Sequence, residues 1–163
     1  MRVELARSAG FCYGVRRAVE LAEQAAKSGR LCAMLGPIIH NGSVIDYLKE
    51  QGVALIQSPD QVPPGTAVII RSHGEGRAVH QALEERGCPV IDATCPNVSR
   101  IHRIVEEAEG EGRQVLIIGM PDHPEVAAIA GWCAHPVVLE GEQALAQWLE
   151  EDPKRRELPI TMV

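Results

Sequence analysis

Leu31-Cys-Ala-Met-Leu-Gly-Pro-Ile-Ile-His40 and Gln114-Val-Leu-Ile-Ile-Gly-Met-Pro-Asp-His123 are the stretches on which the fold turns. Each is a short apolar run closed by a glycine, then a proline, then a histidine four positions after the glycine. His123 stands 83 positions after His40, and Cys95 stands 83 positions after Cys12. In both copies a cysteine opens a helical pattern, an apolar run follows, and the histidine comes 28 positions after the cysteine. One offset that serves two residue types in the same element order points to a duplicated unit.

Working outward, apolar runs predict strands over residues 3–5, 31–35, 67–71, 89–91, 114–118, 136–139 and 159–163. Amphipathic patterns predict helices over 15–27, 43–51, 76–86, 98–109, 125–130 and 142–150, three of them ended by Gly29, Gly52 and Gly87. Residues 150–157 are charged and read as a solvated loop. Strands that alternate with helices imply an α/β fold of repeated small parallel-sheet units. The expected division is residues 1–93 for a first α/β domain and 94–163 for a second. The run 159–163 matches 67–71, which in the first copy leads into Ser72, His73 and Gly74. The second domain is therefore expected to be incomplete in this chain.

Only five residues are aromatic, so the core must be built from Ala, Val, Ile and Leu, which suits helices packed on a parallel sheet. A net charge of −6 offers no general attraction to nucleic acid or to a membrane surface. The start of the chain bears Arg2, Glu4 and Arg7, which is unlike a signal peptide, and no run approaches a bilayer-spanning length. A cytoplasmic location is expected. Five cysteines without a Cys-x-x-Cys pair fit neither a disulfide framework nor the common zinc and ferredoxin spacings.

In open parallel sheets, ligands bind beyond the carboxyl ends of the strands. Cys12, His40, His73, Cys95 and His123 all follow expected strands. Cys12 and Cys95 sit at helix starts, where the dipole and free N–H groups stabilise a negative sulfur, the form that ligates metal or attacks an electrophile. His40 precedes Asn41-Gly42, and His73 lies in Arg71-Ser-His-Gly-Glu-Gly76; both are helix starts suited to an anion such as diphosphate. Glu125 follows His123 and Pro124, and a carboxylate beside an imidazole suits proton delivery to a leaving group. Cys32, Cys88 and Cys133 read as packing residues, and His80, His102 and His135 as structural or surface residues.

With these motifs together, the chain resembles the 4-hydroxy-3-methylbut-2-enyl diphosphate reductase family of the non-mevalonate isoprenoid pathway. The matching segments are Gly10-Phe-Cys-Tyr-Gly-Val15, Ile39-His-Asn41, Ser72-His-Gly74, Asp92-Ala-Thr-Cys-Pro96 and Gly119 through His123-Pro-Glu-Val126. The resemblance implies an oxidoreductase of three α/β domains around a [4Fe-4S] cluster, each domain giving one cysteine. It makes Cys12 and Cys95 two metal ligands, and it places the third ligand and the third domain outside this chain. It further implies that His40 and His73 bind the diphosphate and that His123 lies near the substrate alcohol. Glu125 heads the proton relay, and ferredoxin or flavodoxin supplies electrons. The expected conversion is of the allylic diphosphate to isopentenyl and dimethylallyl diphosphates, with this partial chain inactive alone. Two other readings stand beside it: a non-catalytic phosphate- or diphosphate-binding module, and a zinc hydrolase using Cys12, Cys95 and His123.

Overall fold

The computed structural model describes residues 2–163. Its architecture is α/β, with two parallel sheets flanked by helices. The elements run α1 (Tyr13–Lys27), β1 (Cys32–Leu35), α2 (Gly42–Glu50), β2 (Val53–Ile56), β3 (Ala67–Ile70), α3 (Arg77–Glu85) and β4 (Val90–Asp92). They continue with α4 (Pro96–Gly110), β5 (Gln114–Ile118), α5 (Pro124–Ala130), β6 (Val137–Leu139), α6 (Glu142–Glu151) and β7 (Ile160–Met162). The first sheet has the order β2-β1-β3-β4 and the second β6-β5-β7. Every strand pair is parallel.

The duplication is visible in this topology. α1 and α4 are both 15 residues long, and their first residues lie at the same offset as Cys12 and Cys95. β5 takes the place of β1 at the heart of its sheet, with β6 in the place of β2 and β7 in the place of β3. The faces repeat as well. Met34 and Ile69 pack under α1 and α2 through Ala18, Ala22, Ile45 and Leu48, whereas Leu35, Val68 and Ile70 face Leu83 of α3. Val115 and Ile117 likewise pack under α4 and α5, with Leu116 turned toward Trp148 of α6. Successive strand residues point to opposite faces, and both faces are covered, so these strands read as unbroken apolar runs.

Three expectations are corrected. Residues 3–5 form no strand: Val3 and Leu5 are 79% and 87% exposed, and neither sheet pairs with them. A strand needs a neighbour for its N–H and C=O groups, and among the described residues none is offered here. β2 was not expected, yet it pairs along its length with β1. Residues 150–157 are not open loop, because α6 reaches Glu151 and Pro153–Glu157 forms a 3-10 turn. There Arg155 pairs with Glu151 at 2.8 Å and lies over the Trp148 ring.

Candidate active site at the helix starts

Cys12 is the residue before α1 and Cys95 the residue before α4; neither has helical backbone, and neither thiol caps its helix. Their sulfurs are thus uncommitted, and all five cysteines are free. Cys12 is exposed and follows a turn, closed by Ala9 N–H donating to Ala6 O, rather than a strand end. Cys95 is half-buried; its N–H donates to Ser72 O at 2.9 Å, joining it to the His73 loop. Pro96 opens α4, where a missing N–H costs nothing. A Cβ built on Gly14 would lie 2.5 Å from Cys95 Sγ. The Cys95 sulfur therefore rests against the first turn of the helix that Cys12 begins.

The three histidines converge. The ring centres of His40 and His73 are 4.6 Å apart, those of His73 and His123 6.1 Å, and those of His40 and His123 6.5 Å. Three loops make this possible. The His40 and His73 turns are tied by Ser72 N–H donating to Ile38 O at 3.1 Å. Asn41 caps α2 by accepting from Val44 N–H at 3.1 Å, which leaves His40 free of that task. Gly74 has φ 77°, a left-handed conformation, and a side chain there would strike His102 Cε1 at 2.6 Å. In the second unit His123 itself caps α5, its Nδ1 accepting from Glu125 N–H at 3.2 Å. With Nδ1 an acceptor, Nε2 carries the proton of the neutral ring.

Burial, then the nearby charges of His40, Arg71 and His123, pushes the His73 imidazole down to about 4. His73 is therefore neutral at pH 7, and its buried Nδ1 has no hydrogen-bond partner. Neighbouring Arg71 pairs with Glu75 at 2.8 Å, both side chains being mostly buried. Burial raises the Glu75 carboxyl, and the Arg71 charge opposes that shift. An anion beside His73 would favour its charged form, against the burial and neighbouring positive charges that disfavour it. Glu125 lies in the first turn of α5, half-buried, where a carboxylate suits the positive end of the helix.

The remaining candidates fall outside this group. Cys32 is buried, which raises its thiol, and burial does the same at Cys133. His135 gives its carbonyl to Gln114 Nε2 at 3.0 Å. His80 and His102 both pack on Trp132, His102 stacked at 5.3 Å and pushed down to about 4 by burial. Trp132 in turn donates from Nε1 to Glu75 O at 3.0 Å, joining the loop after α5 to the loop after β3. Sequence reasoning passed over Trp132, Arg71 and Gly14. Arg71 sits within the His73 motif and could have been found as the cation nearest two histidine turns. Among the described residues no group of three or more His, Cys, Asp or Glu is placed to hold a metal ion, so the zinc-hydrolase set of Cys12, Cys95 and His123 is not assembled.

A family model described as LytB protein matches residues 3–162. The chain belongs to the LytB family. Among its relatives is the 4-hydroxy-3-methylbut-2-enyl diphosphate reductase of Clostridioides difficile, 32% identical over 157 residues that cover 96% of this chain and 56% of that protein. Another is the reductase of the same name from Alkaliphilus oremlandii, 42% identical over 87% of this chain and 52% of its own length. Among solved structures, one described as (E)-4-hydroxy-3-methyl-but-2-enyl diphosphate reductase, the terminal enzyme of the non-mevalonate pathway, superposes with a TM-score of 0.78. It is 39% identical, covering 89% of this chain and 53% of that one. The Plasmodium falciparum reductase shares the fold at a TM-score of 0.80 and 23% identity. The chain spans about half the length of the relatives it matches. No helix in the described residues is long and apolar enough to cross a membrane.

Proposed function

We propose that this LytB-family chain forms the cluster-facing and diphosphate-facing part of a reductase that removes the hydroxyl of 4-hydroxy-3-methylbut-2-enyl diphosphate. The observation that carries this reading is the meeting of His40, His73 and His123 within 6.5 Å of one another. The link from the His73 loop to Cys95 through Ser72 O joins that meeting point to the thiols. Cys12 and Cys95 fit part of the ligand set of a [4Fe-4S] cluster: both sulfurs are free, both stand at helix starts, and one rests against the other's helix. Such a cluster, when bound, supplies electrons and a Lewis-acid iron.

The chain's own residues do the rest. His40 and His73 hold the diphosphate by N–H donation, and the bound anion draws a proton toward His73, reversing the depression that burial imposes. His123, held by its cap to Glu125 N–H, offers Nε2–H to the substrate hydroxyl. Glu125 delivers protons. The allylic C–O bond breaks, the hydroxyl leaves as water with one proton, and the allyl group takes two electrons and a second proton. Isopentenyl or dimethylallyl diphosphate results. Ferredoxin or flavodoxin is the electron source in a cytoplasmic setting.

Anaerobic reconstitution with ferrous iron and sulfide tests the assignment. The chain should retain iron and sulfide with broad visible absorption, and Cys12→Ser with Cys95→Ser should abolish both. Retention of no more iron by the parent than by the double variant would remove the cluster. Pyrophosphate binding in that event would leave an anion-binding module.

A further inference from the structure

The start of α1 meets the segment carrying Cys95 at two points about one helical turn apart. At Gly14, a built Cβ would lie 2.5 Å from Cys95 Sγ and 3.0 Å from Cys95 Cβ, inside contact distance of both. At Arg17, Nη1 donates to Thr94 O at 3.2 Å and Nη2 to Asp92 O at 3.3 Å. The segment is held from its other sides as well, by Cys95 N–H on Ser72 O and by Asp92 Oδ1 accepting from Thr94 N–H at 2.9 Å. Glycine inside a helix costs about 1 kcal/mol relative to alanine. Gly14 is buried and has none of the backbone conformations that demand glycine, so what the position needs is space.

We propose that Gly14 and Arg17 are positioning residues for the Cys95 thiol. Gly14 leaves the hollow that Sγ occupies, and Arg17 holds the two carbonyls just ahead of it. Together they set the Cys95 sulfur against the helix start that bears Cys12. Neither touches substrate. A methyl group at position 14 must rotate the thiol away or shift α1, and loss of the Arg17 guanidinium removes the two hydrogen bonds that tie the Asp92–Cys95 segment to α1. The proposal rests on the paired-thiol reading of the cluster site, and its test separates the two.

The test uses the full chain in a Cys88→Ser, Cys133→Ser background, titrated without oxygen with cadmium(II), whose thiolate bonds absorb in the ultraviolet. This parent should bind cadmium with a signal lost in both Cys12→Ser and Cys95→Ser. Gly14→Ala and Arg17→Ala should each weaken cadmium binding by about tenfold or more while melting remains cooperative, and Arg17→Lys should recover part of the loss. A parent signal that survives either cysteine replacement overturns the paired-thiol reading itself. A signal that needs both cysteines but is bound as tightly by Gly14→Ala and Arg17→Ala overturns the positioning proposal alone. Should Gly14→Ala not fold, parental affinity in Arg17→Ala is sufficient to overturn it.

Discussion

His40 and His123 occupy the same place in two copies of one unit, yet they are held differently. In the first copy Asn41 caps α2, and His40 stays exposed with both nitrogens uncommitted to the helix. In the second, Pro124 follows at once, and His123 spends its Nδ1 on capping α5. The thiols differ in the same way: Cys12 is exposed, while Cys95 is pinned by Ser72 O and the start of α1. Duplication thus repeats positions, and the neighbouring residues decide how rigid each position is. In the first copy these side chains are the more exposed, and in the second they are held by more contacts.

The largest effect should come from the strand cores that make the copies equivalent. Ile69 and Ile117 are fully buried at the centres of the two sheets. Ile69→Ala and Ile117→Ala should each cost about 2–5 kcal/mol. In calorimetry one shared transition should move in both variants; separate transitions, each moved by one variant only, would break the equivalence into two independent folding units.

Acid should act next. His73 and His102 are both depressed to about 4 from an ordinary 6.5, first by burial. The unfolded chain then binds these protons more readily than the folded one, so stability is full above about pH 6.5 and is lost as pH falls toward about 4. Urea unfolding across that range should show the fall, and His102→Gln should flatten part of it. An unchanged slope in that variant would mean that His102 is not held neutral by its burial beside Trp132.

The smallest effect concerns the caps. Asn41→Ala and His123→Ala should each cost about 0.5–2 kcal/mol by thermal melting. His123→Asn should recover the stability but not the anion affinity, because it restores the cap without the imidazole. If His123→Ala left stability untouched while Asn41→Ala did not, the contrast between the copies would fail.

The convergence of these side chains was legible in the sequence because the repeat carried it. His40 with His123 and Cys12 with Cys95 share one offset, and the structure gathers the histidines and sets Cys95 against the start of α1. His73 was legible from its place after the run that became β3. The same offset also accounts for the two strands on which sequence and structure differ. Carrying the run 136–139 back by the same offset lands on Val53–Ile56, the missed β2. Carrying 3–5 forward lands on residues 86–88, which form no strand. Local hydrophobicity underrated 53–56 and overrated 3–5, since runs of three or four residues hold too little pattern to separate strand from loop. Gly14, Arg17 and Trp132 were illegible for another reason. Their roles lie in contacts between distant segments, and no local pattern marks which glycine is small on another residue's behalf.

On the proposed reading, three imidazoles from two copies share one anion site. Imidazole proton resonances followed during a pyrophosphate titration test it directly. His40, His73 and His123 should shift together along one binding curve, with His73 moving to a higher pKa, while His80 and His135 stay still. Shifts at His80 or His135 with His40, His73 and His123 unmoved would contradict it.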